Sequence, residues 1–206
     1  FPNGFGNGSD QLGRNVMDHH LGVGASGEAP EFADMYYSGR RPNGIYVPRF
    51  RNIGTTHAAF IRGYGFQGGA GRGGWEGSHL RPGIGAAFKA SLTKLGPWRM
   101  TFAGFGEMLP NPRNRATIHP TLRDRWGIPS LHIEAQWGEN ELAIHRDMGV
   151  TASELLEAAG ATGIQPRTDG PSTVGNANPE MGAARMGRDP RTSVLNAHNQ
   201  AWEVPN

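Results

Sequence analysis

The sequence predicts an α+β domain: an antiparallel sheet with helices on one face, and long loops between the elements. Three observations predict it. Short apolar stretches with period-two alternation recur along the chain, bounded by Gly, Pro and Asn. Only two segments carry apolar residues at helical spacing. Gly (32) and Pro (15) are abundant among the 206 residues, as loop-rich chains require, while a net charge of +2 sets this apart from the high-charge composition of disordered segments. The length fits a single domain, residues 1–206.

Residues 1–43 read as turn chemistry, with Gly and Asn at short intervals. Gly44–Phe50 ("GIYVPRF") is β-branched and aromatic and reads as a strand, with Pro48 placing it at an edge or a bulge. Ala58–Gln67 alternates Phe60, Arg62, Tyr64 and Phe66 against smaller neighbours and reads as a second strand; Gly68–Gly74 reads as a flexible loop. Gly83–Gly96 sets Ile84, Ala87, Phe88, Leu92 and Leu95 at helical spacing, with Gly96 as its stop. Trp98–Leu109, Arg115–Pro120 and Ser130–Trp137 read as further strands. Glu139–Gly160 is the clearest helix: Leu142, Met148, Ala152, Leu155, Leu156 and Ala159 form a stripe, acids crowd the first turn, and Gly160 ends it. Strands at hairpin-like spacing with few intervening helices are the pattern of an antiparallel sheet.

Composition narrows the function. Lys occurs only at Lys89 and Lys94 and no Lys/Arg run appears, so a nucleic-acid stripe is absent. There is no Cys, which excludes disulfides and thiolate metal sites. No apolar run is long enough to span a membrane and no signal peptide opens the chain. The chain reads as water-soluble, from a bacterial cytoplasm or periplasm, the compartment being open. Both ends read as cut from something longer, and the thin supply of core residues points to a partner surface.

Several motifs lack the context that would give them chemistry. Gly22-x-Gly24-x-x-Gly27 and Gly63-x-Gly65-x-x-Gly68 match the dinucleotide pattern, but neither lies between a strand and a helix. Close backbone contacts explain them better. In "MDHH" (Met17–His20) the adjacent imidazoles point to opposite strand faces. His132 and Glu134 share a face but lack a third ligand, so no metal set is expected. Asn7–Ser9 fits a glycosylation pattern short enough to arise by chance. There is no serine nucleophile elbow.

Residues 182–196 ("GAARMGRDPRTSVLN") differ. They combine small residues, which let a backbone approach a flat ligand, with a polar turn at Arg188-Asp189-Pro190. This stretch resembles the "GT-x-RMG" signature of the glucose–methanol–choline (GMC) flavin oxidoreductases, which lies against the flavin. "QLGRNVMDHH" resembles that family's "G-x-N-L-x-D-H" element at the junction of flavin and substrate domains, through Asn15, Asp18 and His19. "GEMLPNPRNRATIHP" and "RDRWGIPSLHIE" resemble two of its strands, and "YYSGRRPNGIYVPRFRN" resembles the bacterial sugar dehydrogenase branch that includes glucoside 3-dehydrogenase catalytic subunits.

The resemblance implies a GMC-type substrate-binding domain, with 1–43 as a loop-rich junction to a missing flavin domain. It implies 175–206 as a flavin-facing segment, cut before the final catalytic strand. It implies hydride transfer from a sugar or alcohol carbon to FAD, held mainly by a region outside this chain, with Met181, Gly182, Ala183, Arg185, Met186, Gly187 and Asn196 on the flavin side. The family's base is a His three residues before the Gly of the signature; here that position is Pro179, beside Asn178, which cannot act as a base, so no catalytic set is intact. Ala183 replaces the usual Thr. Gln67, Glu107 and Gln136, at strand ends, are candidates for pairing with sugar hydroxyls, and Trp137 or Trp75 for stacking on a sugar face; Arg40 and Arg41 are candidates for pairing with a neighbouring domain. The expected partners are a sugar or glucoside and a flavin domain or partner subunit. The alternative is an inactive binding or assembly module derived from the same family, with a metal-dependent hydrolase behind both.

Overall fold

A computed structural model of the chain describes residues 4–35, 44–72 and 82–204. In chain order the elements are β1 (Arg14–Met17), β2 (Gly24–Glu28), a 3-10 turn (Pro30–Phe32), β3 (Ile45–Val47), β4 (Tyr64–Arg72), α1 (Gly85–Leu92), β5 (Trp98–Gly106), β6 (Arg115–Arg123), β7 (Pro129–Glu134), α2 (Glu139–Ala158), β8 (Thr162–Arg167) and β9 (Met181–Ala183). The α+β class holds, and every strand pairing is antiparallel. The strands form two sheets, ordered β7-β6-β1-β9 and β3-β4-β5-β2-β8, and the chain divides into two compact units.

The first unit holds residues 1–19, 108–139 and 173–206 with the four-stranded sheet. Its buried apolar residues are few: Val16, Met108, Val174, Ala177 and Val194. Buried polar groups fill much of the rest, among them Asn15, Asp18, Asn114 and Ser193. Such groups are tolerated inside only when hydrogen-bonded. Asn114 shows how: its Nδ2 donates to the Gln136 carbonyl at 3.1 Å and its Oδ1 accepts from the Gln136 N–H at 3.1 Å. Asn7, in the glycosylation pattern, is buried, and its Oδ1 accepts from the Leu12 N–H at 2.8 Å.

The second unit holds residues 20–107 and 140–172 with the five-stranded sheet. Its core is apolar. Val23, just before β2, and Ala25, Tyr64, Phe66 and Phe102 from the strands pack with Ala143, Ile144, Met148, Ala152 and Leu156 of α2. Tyr64 and Phe66 lie two residues apart in β4, so both point to the same face. Each fully buried large apolar side chain contributes about 1.5–3 kcal/mol. At its C-terminus α2 turns at Gly160 (φ +77), and the Ala161 N–H donates to the Leu156 carbonyl at 3.0 Å, a Schellman closure.

Four expectations need correction. Residues 1–43 are not only turns, since they supply β1 and the interior strand β2. Gly24, one of the dinucleotide-pattern glycines, explains why β2 is hard to see: at φ +153, a Cβ there would lie 2.9 Å from the Phe102 carbonyl carbon. The strand over 58–67 begins only at Tyr64, and the expected loop 68–74 is strand as far as Arg72, because Gly68 lets β4 approach the Phe102 ring, 2.6 Å from where its Cβ would stand. The helix over 83–96 is shorter, Gly85–Leu92, closed by the Thr93 hydroxyl donating to the Ala90 carbonyl at 2.8 Å rather than by Gly96. Its apolar stripe covers no core: α1 has no buried residue and Ile84 is 93% exposed. Trp75, Arg40 and Arg41 lie outside the described residues.

Candidate functional site

The sequence motifs around residues 15–19 and 175–187 converge in the first unit. β1 and β9 pair, with Arg14 opposite Ala183 and Met17 opposite Met181. The approach is close because of Gly182: at φ +88, a Cβ there would overlap the Asn15 carbonyl oxygen and lie 2.7 Å from its carbon. Asn15 is buried and itself has φ +59. Ala183 follows at φ +56, and the Ala184 N–H closes a tight turn onto the Gly182 carbonyl at 2.6 Å. The space left by Gly182 is therefore filled by the protein's own backbone. The same holds at Gly187, whose missing side chain makes room for Ser193 Cβ at 2.6 Å.

Asp18 organises the segment that leads into this strand. It is fully buried, and its Oδ2 accepts from the Gly175 N–H at 2.6 Å and the Ala177 N–H at 3.3 Å, while Oδ1 accepts from the His19 N–H at 2.7 Å. A carboxylate taking several backbone donors fixes a turn firmly. The next residues, Asn178, Pro179 and Glu180, are exposed, and the Asn178–Pro179 bond is cis. His19 Nδ1 is buried without a hydrogen-bond partner among the described residues, as is Arg185 Nε; Arg185 Nη2 donates to Gln11 Oε1 at 3.0 Å.

β9 is an edge strand, and beside it Met181 is 40% and Met186 54% exposed. Residues 185–195 close on themselves. The Gly187 N–H donates to the Leu195 carbonyl at 2.8 Å, and the Val194 and Leu195 N–H groups both donate to the Arg185 carbonyl at 3.1 Å. The exposed Arg188-Asp189-Pro190 turn is tied by Asp189, which pairs with Arg191 at 2.7 Å; hydrogen bonding from Arg191 holds the Asp189 carboxyl below its ordinary range. Asn196 spends its side chain locally, its Oδ1 accepting from the His198 N–H at 2.8 Å and the Gln200 N–H at 3.1 Å.

The remaining candidates fall in both units. Gln136 lines an open cleft of about 490 Å³ in the first unit with Arg14, Arg113, Asn114, Arg115 and Glu134. Gln67 is exposed on β4 and Glu107 follows β5, both in the second unit. Glu107 is half-exposed and paired with Arg49 at 3.0 Å. His132 meets His119 edge to face at 5.7 Å, and among the described residues no three His, Asp or Glu groups gather as a metal set.

Sequence reading missed two polar clusters. Beside the cleft, Asp10 accepts from both Arg14 and Arg115, the latter at 3.5 Å; Arg14 follows Asp10 by four residues, but Arg115 is distant in sequence and no pattern joins it to them. In the second unit, Asp147 accepts from Tyr64 Oη and from Arg51 Nε at 2.9 Å, while Arg51 Nη2 and Tyr64 Oη each reach Thr151 Oγ1 at 3.1 Å. Burial, then the Asp147 carboxylate beside it, push the Tyr64 hydroxyl up to about 12. The i, i+4 spacing of Asp147 and Thr151 on α2 was the available signal.

Comparison with known proteins places these features. A family model described as GMC oxidoreductase matches residues 110–206, which include β6, β7, β9 and the 185–195 loop. The whole chain aligns at 31% identity with 2-methyl-1,2-propanediol dehydrogenase of Mycolicibacterium austroafricanum, covering 37% of that protein. It is 26% identical over 94% of its length to the fructose dehydrogenase large subunit of Gluconobacter japonicus, covering 35% of it. It is 27% identical over 61% of its length to the gluconate 2-dehydrogenase flavoprotein of Pantoea cypripedii, covering 21%. The chain thus spans well under half the length of each of these relatives. The signature around Gly182 and the Asn15–His19 element that packs on it agree with the family-model match: in residues 110–206 the chain carries the C-terminal part described by the GMC oxidoreductase family model.

Proposed function

We propose that this chain is the substrate-domain portion of an FAD-dependent dehydrogenase that oxidises a sugar or another polyhydroxy alcohol. The relatives' names include a diol, a ketose and a sugar acid, and each of those molecules carries neighbouring hydroxyls. FAD supplies the hydride acceptor, which no amino-acid side chain can provide. The residues present suit a flat ring. Met181 and Met186 expose polarisable thioethers beside an edge strand, sulfur packs favourably on aromatic systems, and the buried Nε of Arg185 has a proton to give. Gly182 and Gly187 act inside the protein, leaving Met181, Ala183, Ala184 and Met186 as the surface offered. The chain's part is to orient the substrate and exclude water.

The open Met181–Met186 edge carries this reading. Its test is expression of the longer polypeptide that contains this chain. The reading predicts bound flavin that bleaches when a sugar or diol is added. A full-length protein without flavin absorbance, or with flavin that no polyol reduces, would sink it.

Pro179 favours a second reading, an inactive assembly module, because it leaves the base position without a titratable group. In the full-length protein, Pro179→His separates the two. A general base contributes about 10²–10⁴-fold, so a rise in turnover of that order marks an impaired enzyme, and no change marks a module.

A further inference from the structure

We infer that the cleft beside β1 and β6 binds a small oxyanion and selects substrates that carry one, such as hydroxy acids; this rests on the dehydrogenase reading above. The pairing of strands sets a row across the sheet: Glu134 opposite Arg115, Arg115 opposite Arg14, Arg14 opposite Ala183. Two arginines directly opposite on neighbouring strands repel. Asp10 compensates them by accepting from both. Arg14 holds the Asp10 carboxyl below its ordinary value, chiefly by hydrogen bonding, with Arg115 adding to the effect.

Compensation is incomplete. Arg113 also lines the cleft, is exposed, and has no acceptor for its guanidinium among the described residues. Arg115 Nε is buried without an acceptor among the described residues. Glu134 faces Arg115 in register but forms no ion pair with it. A guanidinium carries five donors, and the planar fork matches carboxylate and phosphate. Arg14 is largely committed, its Nε donating to the Asp10 carbonyl at 2.6 Å, its Nη1 to the Pro112 carbonyl at 3.3 Å and its Nη2 to the Asp10 carboxylate. Arg113, with the donors Arg115 keeps beyond Asp10, lines a volume in the range of small-molecule sites and forms a binding surface for an oxyanion. Gln136 adds a neutral partner for hydroxyls: Asn114 fixes its backbone and leaves its side-chain amide exposed. Arg14 is one strand from Ala183, about 4.8 Å away at sheet spacing. An anion held here therefore lies close to the segment assigned to the flavin side.

The oxyanion could be the substrate's own carboxylate or free phosphate, and titration calorimetry on the full-length protein distinguishes them with D-gluconate, inorganic phosphate and neutral D-glucitol. The inference predicts that at least one anion binds more tightly than D-glucitol and that salt weakens it. Arg113→Gln should weaken that anion by about tenfold or more, and Arg113→Lys should restore part of the loss. Arg113 makes no side-chain bond among the described residues, so folding should survive; an unchanged melting temperature checks this. Gluconate binding above phosphate assigns a hydroxy-acid substrate, and the reverse assigns a phosphate. Anions that bind no better than glucitol, or that are indifferent to Arg113→Gln, overturn the inference. Flavin reduced by polyols without anion binding removes this inference alone, whereas anion binding on a protein that takes no flavin removes the dehydrogenase reading alone.

Discussion

Gly182→Ala is the most informative single change. If the glycine existed to admit a ligand, alanine would reduce flavin affinity and leave the flavin-free protein intact. The structure requires something else. At φ +88 an L-residue costs about 1–2 kcal/mol. A Cβ would also overlap the Asn15 carbonyl oxygen and stand 2.7 Å from its carbon and 3.3 Å from Val16 Cα. All three are backbone atoms, so no rotamer change relieves the overlap, and β9 must move off β1. Overpacking adds about 1–3 kcal/mol, for a total of about 2–5 kcal/mol. Gly170 is the control: its φ is +97 and nothing lies within 4 Å of its Cβ position, so Gly170→Ala bears only the conformational part. Urea denaturation of the flavin-free full-length protein should show Gly182→Ala losing clearly more than Gly170→Ala. If the two lose equally, or Gly182→Ala stays within about 0.5 kcal/mol of the parent, the packing role is refuted.

Asp18→Ala removes the acceptor for the Gly175 and Ala177 N–H groups and should cost about 2–4 kcal/mol, read by denaturation. Met148→Ala opens a cavity between α2 and Gly104, where the Met148 sulfur now fills the space in front of the glycine, and should cost about 2–5 kcal/mol in the same assay. Burial, then the neighbouring His20 and Arg146 charges, hold the His145 imidazole below 6.5. The unfolded chain therefore takes up this proton first as pH falls, so the His145 contribution is full above 6.5 and is lost below it; melting temperatures from pH 8 to pH 5 should fall more steeply for the parent than for His145→Gln.

Periodicity made α2 legible because its stripe faces an apolar core, and Tyr64, Phe66 and Phe102 alternated for the same reason. It misled at Ile84, whose helix has the spacing without a surface to cover. β2 was hidden because its buried positions are Gly24, Ala25 and Gly27, small residues on both faces, and at Gly24 close approach to Phe102 replaces side-chain bulk. The GMC resemblance singled out the segments around Asp18 and Gly182 but not the β1–β9 pairing between them, where the small residues serve backbone packing. Arg115 could not be linked to the nearby Asp10–Arg14 pair because strand register, not spacing, brings it there.

The assignment of the Met181–Met186 edge to the flavin side is tested most directly by hydrogen–deuterium exchange on the full-length protein, with and without FAD. The account predicts slowed exchange of the amides in residues 181–187 when flavin occupies the protein, together with little change in α2. Unchanged exchange across 181–187 at full flavin occupancy would contradict it.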